Sequence, residues 1–169
     1  MTVLTAARRI DQEDPTRMQA RDIAVNVPTI TVSDSVAKAV QVLALGRLPG
    51  LIVVEEGGTP LTVLPGSQVM RLAIPAAYLA EPALARTIDE DYADTFWRDL
   101  RGVSVGECLP LRIAKPVTVR ADANLLEVAA LMANAHMPIV AVVDESGHLL
   151  GAITLAALLT SLAVAGIDE

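Results

Sequence analysis

The stretch from Ile139 to Leu159 reads IVAVVDESGHLLGAITLAALL, and it decides the fold. An apolar run, Ile139 to Val143, ends at Asp144. Glu145-Ser146-Gly147 turns the chain, and a second apolar run, Leu149 to Ile153, leads into an Ala/Leu-rich segment. Two short apolar runs around a Gly-bearing turn predict a hairpin, and the segment beyond predicts a helix. The pattern occurs once earlier. Residues 50–70 read GLIVVEEGGTPLTVLPGSQVM, and one constant offset sets Val54 against Val143, Glu55 against Asp144, Gly58 against Gly147 and Val63 against Ala152. Internal repetition of this kind sets the architecture ahead of any local preference.

Outward from the two hairpins, the flanking segments match as well. Before the first, a helical turn around Ala20 to Ala24 is followed by a loop with Pro28. Thr29 to Val32 then predicts a strand from its Thr, Ile and Val content. Ser33-Asp34 is the expected cap of a helix whose dry face is Val36, Ala39, Val40 and Leu43 and which Gly46 ends. Leu51 to Val54 is apolar throughout, as in a strand buried on both faces. Leu61 to Leu64 returns, and Pro65-Gly66 opens a helix over 67–72. The second copy starts near Ser104. Val117 to Val119 is its strand, and Asp122 is the expected cap of a helix from Ala123 to Ala135, with Asn124, Glu127 and Asn134 on the wet side. Each copy is strand–helix–strand–strand–helix, its first connection a right-handed parallel crossover and its second a hairpin. A unit this small and this poor in aromatics is marginal alone, so two packed sheet to sheet would share a core. The fold class expected is α/β (α+β): two β-α-β-β-α repeats in a pseudo-twofold pair. The divisions are 1–17, an N-terminal tail; 18–74, the first repeat; 75–103, a helical insert; 104–163, the second repeat; and 164–169, a C-terminal tail.

Composition bounds the function. At 169 residues the chain is one domain or two intimately packed halves. It is 53% apolar but only 2% aromatic, so its core must be Val, Leu, Ile and Ala. A net charge of −7 argues against non-specific nucleic-acid binding, which depends on neutralising phosphates. It leaves room for a nucleotide ligand, for which one local basic residue suffices. Cys108 is the sole cysteine, so there is no disulfide within the chain and no Cys-based metal site. Its acidic neighbour Glu107 predicts an inert thiol. The N-terminal segment has no apolar core of signal-peptide length, and a cytoplasmic location is expected. Leu149 to Ile167 is nineteen residues without a charge, long enough for a membrane span. Its first-repeat partner contains Pro60 and Pro65 and could not span as a regular helix, which makes a membrane reading the weaker one.

The insert reads PAAYLAEPALARTIDEDYADTFWRDLRGV and holds all four aromatics of the chain, Tyr78, Tyr92, Phe96 and Trp97. Ala83 to Ile88 and Asp91 to Leu100 read as helical, with Pro82 marking a start. The run Asp89-Glu90-Asp91 with Asp94 reads as a solvated helix face; it lacks calcium-loop spacing, and no metal site is expected. For the aromatics two readings stand. The insert packs across the pair and supplies bulk, or Tyr92, Phe96 and Trp97 anchor an interface. His136 and His148 have no Ser, Cys or carboxylate partner at catalytic spacing, and no catalytic constellation is present, so an enzyme is not expected.

The second copy, LEVAALMANAHMPIVAVVDESGHLLGAITLAALLTSL, resembles the CBS domain, named for cystathionine beta-synthase, whose paired form is the Bateman module. The residues that carry the resemblance are Leu131-Met132, Val142-Val143-Asp144, Gly147, Leu149-Leu150-Gly151 and Thr154. In the first copy they are Leu43, Val53-Val54-Glu55 and Gly58. The resemblance implies a free-standing pair of CBS repeats, a homodimer formed through helices, and regulation of a separate enzyme or transporter. It also implies an adenine nucleotide, AMP, ADP or ATP, in the clefts between repeats. The family motif is Gly-x-hydrophobic-Thr/Ser-x-x-Asp/Asn, with the hydroxyl at a helix N-terminus facing phosphate and the acid or amide facing ribose. Here it runs Gly151, Ile153, Thr154, Ala157, and in the first copy Thr62, Leu64, Pro65, Gln68. The ligand candidates carried over are Gly151 and Thr154, with the strand edge at Val117 and Thr118. Both copies lack the ribose acceptor. Ala141 and Ile52 replace a usual proline, and Ile139 and Gly50 replace a usual basic residue. Two functions follow: a regulatory module sensing an adenine nucleotide through a degenerate cleft, or a ligand-free interaction and dimerisation scaffold that uses the aromatic insert.

Overall fold

Two hairpins, each carrying helices on its outer face, meet across their inner faces in the computed structural model, which describes residues 17–165. The expected tails at 1–17 and 164–169 lie outside those residues, except Arg17 at one end and 164–165 at the other. The first repeat contains α1 (Ala20–Ile23), α2 (Val36–Gly46), β1 (Gly50–Val54), β2 (Pro60–Pro65) and α3 (Gly66–Ala73). The expected strand at Thr29 to Val32 is reduced to one parallel bridge, Ile30 beside Val53. The Ile30 N–H donates to the Ile52 carbonyl and its own carbonyl accepts from the Val54 N–H. Pro28 has no N–H to extend the ladder, and the Thr31–Asp34 turn bends the chain away immediately afterwards.

The α2 cap is Ser35, not Ser33-Asp34; Ser35 Oγ accepts the Lys38 N–H at 3.1 Å. Asp34 has a different task. Its Oδ1 pairs with Lys38 Nζ at 2.6 Å and its Oδ2 accepts the Thr31 N–H at 2.8 Å. The lysine above all holds this carboxyl below its ordinary range. Gly46 is the last residue of α2, and the left-handed residue that closes the helix is Arg47, at φ 49°. β1 and β2 run antiparallel, with Leu51 opposite Leu64 and Ile52 opposite Val63.

The insert is helical throughout: α4 (Ala76–Ala80), a 3₁₀ segment (Pro82–Thr87), α5 (Glu90–Asp99) and a final 3₁₀ turn (Leu100–Gly102). The helix expected over 83–88 is therefore the tighter 3₁₀ form. The second repeat contains α6 (Val105–Cys108), β3 (Thr118–Arg120), α7 (Leu125–Ala135), β4 (Ile139–Val143), β5 (Leu149–Thr154) and α8 (Leu155–Ala165). β3 runs parallel to β4 with Thr118 beside Ala141, and β5 returns antiparallel to β4. The α7 cap is Asn124, whose side chain accepts the Glu127 N–H at 2.9 Å, and not Asp122. The charge-free run from Leu149 divides into a strand and an eleven-residue helix. No helix among the described residues is long and apolar enough to cross a membrane.

Three clusters form the core. One centres on Leu51, Val53, Val36 and Val69 of the first repeat. A second centres on Val128, Met132, Val140 and Leu158 of the second. The third is the seam between them, formed by Val27, Ile52, Val63, Ile139, Ala141 and Ala152. Each fully buried Ile or Val stabilises by roughly 1.5–3 kcal/mol relative to exposure. The lead-in segments are exchanged. Ala20, ahead of the first repeat, is buried in the second repeat's cluster, and its N–H donates to the Ala123 carbonyl at 2.8 Å. Val105, ahead of the second repeat, is buried in the first repeat's cluster, and its N–H donates to the Asp34 carbonyl at 2.8 Å. Each half thus completes the other's core, which is how two marginal units become one body.

Candidate functional site

The carried-over residues fall on both sides of β4. Thr154 ends β5 opposite Ile139, at the start of β4. Val117 lies at the same end on the other side, its carbonyl accepting the Ala141 N–H at 3.1 Å. Thr118 lies beside Ala141, which faces Ala152, so Thr118 and Thr154 are separated by two strand spacings across the sheet and two residues along it, about 12 Å. The half-buried Thr154 hydroxyl accepts the Ala157 N–H at 3.2 Å and so caps α8. That leaves its own proton free to donate. The Leu155 N–H is already given to the Pro138 carbonyl at 2.9 Å. Gly151 lies inside the sheet rather than at this end. A Cβ there would stand 2.8 Å from the Val25 carbonyl oxygen, so Gly151 admits the strand-like contact between Val25 and Ala152.

The first-repeat counterpart is poorer in chemistry. Thr62 is buried at 3% exposure within β2. Pro65 precedes α3 with no side-chain cap, and Gln68 is exposed. Ile139 is wholly buried in the seam. A Cβ on Gly50 would lie 2.8 Å from Ile139 Cγ2 and 2.7 Å from the Leu64 carbonyl. A basic side chain has no room at either place.

Three further features had no signature in the repeat pattern. The first is an apolar groove between α7 and α8, lined by Ala129, Met132, Ala133, Leu155, Leu159 and Leu162 among others. Leu155, Leu159 and Leu162 are 42%, 56% and 40% exposed, one stripe at helical spacing. The second is a cavity of about 350 Å³ in the insert, lined by Tyr78, Tyr92, Phe96 and Trp97. The third is a small cleft with Arg21 and Arg120, which Asp122, Asp144 and Glu145 outnumber; Arg120 pairs with Asp122 and Glu145, each at 3.5 Å.

The remaining titratable groups have structural explanations. Asp144 accepts the N–H groups of Ser146 at 2.8 Å and His148 at 2.9 Å. The His148 amide foremost lowers its pKa. Glu107 closes a reciprocal cap with Ser104, whose N–H lowers its pKa. Burial pushes the Cys108 thiol up, with a smaller push from Glu107. His136 is exposed at the end of α7, and the His148 ring lies 3.8 Å from Asp144. Among the described residues no group of three His, Cys, Asp or Glu could hold a metal ion.

This arrangement of paired repeats, each a helix-flanked hairpin sharing a seam, defines a CBS pair. The CBS-domain family model matches residues 106–164. The fold is similar to that of a CBS domain-containing protein of unknown function from Kribbella flavida. That similarity is at 42% identity, covering 86% of this chain and 99% of that one, with a TM-score of 0.73. This chain belongs to the CBS-domain proteins and carries a tandem pair. It is also similar to CBSX2 in complex with AMP, at 21% identity, 89% and 98% coverage and a TM-score of 0.61. A third similarity is to the CBS domain of a bacterial CNNM/CorC family Mg2+ transporter in complex with ATP, at 15% identity, 86% and 87% coverage and a TM-score of 0.58. A comparison with curated proteins returned no match.

Proposed function

We propose that this chain is a non-catalytic regulatory module that works as a homodimer and senses an adenine nucleotide, AMP, ADP or ATP, at the Thr154 end of the second repeat. The observation that carries the reading is the Thr154 hydroxyl. It caps an eleven-residue helix and retains a proton for an anionic oxygen, with Thr118 two strands across and two residues along the sheet. Solved CBS structures of the same fold hold AMP and ATP, which supports the class of ligand. The exposed Leu155, Leu159 and Leu162 stripe supports a dimer through α7 and α8. The regulated partner is a separate enzyme or transporter.

Affinity should be modest, because Ala157 offers a methyl where a ribose acceptor would stand and Gln68 points to solvent in the first repeat. Those two positions favour a second reading, a ligand-free scaffold that dimerises and docks through its insert. Thermal melting with AMP, ADP and ATP separates the two, since a ligand of the folded state raises the midpoint. A rise that Thr154→Ala reduces supports sensing. No rise with any of the three at millimolar concentration leaves the scaffold.

A further inference from the structure

All four aromatic side chains of a chain that is 2% aromatic line one cavity. Tyr78 comes from α4, while Tyr92, Phe96 and Trp97 come from α5; Ile74, Pro75 and Ile88 are among the apolar residues of the wall. Phe96 also packs against the first repeat's core, which fixes one side of the cavity to the body of the protein. The Phe96 and Trp97 rings meet edge to face, centroids 5.5 Å apart. The other rings are not filler. No residue of α4, the 3₁₀ segment or α5 is buried, and Tyr92 and Trp97 are 60% and 42% exposed. A volume of about 350 Å³ lies within the usual range for small-molecule sites, about 300–1,000 Å³.

The charge on the wall of the cavity is one-sided. Asp89 and Glu90 are the ionisable groups on its wall besides the two tyrosines, and no Lys or Arg lines it. Asp89 Oδ1 accepts the Tyr92 N–H at 2.9 Å and is held against α5. Glu90 forms no ion pair among the described residues. We propose that this cavity binds a small organic cation with an apolar body, its ammonium group against the ring faces and toward Glu90. Ring faces carry negative charge density and attract a cation once it is partly desolvated. The carboxylates add an attraction that salt screens. A metal ion is the wrong occupant because rings do not ligate it, and an anion would face two carboxylates. The site shares no lining residue with Thr154, Gly151, Val117 or Thr118, so it goes beyond the nucleotide reading and stands without it.

Trp97 is the only tryptophan in the chain and reports directly on the site. Full-length protein is titrated with benzyltrimethylammonium and with its neutral isostere neopentylbenzene, following Trp97 emission. A saturable change with the cation is expected, with the neutral analogue about tenfold weaker. Glu90→Gln should weaken the cation several-fold and flatten its salt dependence. Tyr92→Leu, read by calorimetry, should weaken it about tenfold with an unchanged thermal midpoint. Equal affinity for the two probes makes the cavity a plain apolar pocket and overturns the proposal. So does the absence of a saturable change, or an ordinary affinity in a well-folded Tyr92→Leu. Competition by AMP would also overturn it, since the two sites are separate. A Trp97 emission that depends on protein concentration and ignores the cation would place a second copy on the rings instead.

Discussion

Arg47 and His136 stand at the same point of the two repeats, and both hold a left-handed backbone, at φ 49° and 53°. Each closes its helix with the same pair of bonds. Arg47 donates to the Ala44 carbonyl and Leu48 to Leu43; His136 donates to Ala133 and Met137 to Met132. The repeat is thus preserved in a conformation that side chains other than glycine resist, at about 1–2 kcal/mol. Both side chains are exposed.

Replacing either residue by glycine should therefore stabilise the protein. The relieved strain is offset in part by the greater freedom of glycine in the unfolded chain, leaving a gain of about 0.5–1 kcal/mol per site. Because each residue closes its own helix with its own bonds and both side chains are exposed, the gains should add in the double variant. Urea unfolding checks this, and a loss of stability in either single variant would refute it.

Gly151→Ala should do the opposite. Its Cβ would meet the Val25 carbonyl oxygen at 2.8 Å, a backbone atom that cannot swing aside as a flexible side chain could. The two hydrogen bonds between Val25 and Ala152, each 2.9 Å, tie the lead-in segment to the second repeat. Losing or lengthening them should cost about 1–3 kcal/mol. Amide exchange at Val25 and Ala152 reads this directly; protection unchanged from wild type would show that the sheet accommodates the methyl.

Ile139→Ala tests whether the repeats are one cooperative body. Ile139 is fully buried in the seam with Ile52 and Ala152. Truncation should cost about 2–5 kcal/mol. With lead-in segments exchanged between the halves, the variant should still melt in one transition. Two separated transitions in calorimetry would mean the halves fold independently.

Much of this was legible in the sequence, and the failures have physical causes. The hairpin at Ile139 to Ile153 and its earlier echo were readable because a strand buried on both faces is apolar throughout and its turn needs Gly58 or Gly147 at positive φ, 82° and 85°. Cap positions were misread where neighbouring residues were equally able to cap: Ser33, Asp34 and Ser35 in one copy, Asp122 and Asn124 in the other. Only the packing of Val36 and Leu125 chooses among them. The strand at Thr29 to Val32 has the right composition but loses its ladder to Pro28 and the Asp34 turn. The exchange of lead-in segments had no signal at all, since it is a property of how the halves dock. At the candidate site, Thr154 was singled out only through the motif that the resemblance to CBS domains carries, whereas the apolar stripe on α8 was hidden within a run where nearly every residue is apolar.

Thr154 separates capping from ligand contact by comparing two substitutions. Thr154→Ala removes the acceptor for the Ala157 N–H and should cost about 1 kcal/mol. Thr154→Ser keeps it and should melt near wild type. If the hydroxyl also meets a nucleotide phosphate, the alanine variant loses the nucleotide-induced rise in midpoint and the serine variant keeps it. Equal nucleotide responses in both variants would confine Thr154 to capping.

Asp144 predicts how the second hairpin responds to acid. Its carboxylate accepts the His148 and Ser146 N–H groups, which holds its folded pKa below the ordinary carboxylate value. A group whose pKa is lower in the folded state binds its proton more readily when unfolded. Its stabilisation is therefore complete above the unfolded value, about 4, and is lost as pH falls through the lowered folded value. Asparagine keeps an acceptor oxygen in the turn but carries no charge, so Asp144→Asn should melt below wild type at neutral pH. The gap should narrow steadily from about pH 5 downward and close once the wild-type carboxyl is protonated. Glu107, in its cap with Ser104, shifts in the same direction and contributes to the acid sensitivity of both proteins alike. Only the difference between the two melting curves belongs to Asp144. A difference that stays constant from neutral pH to pH values well below 4 would show that the turn needs the shape of this side chain and not its charge.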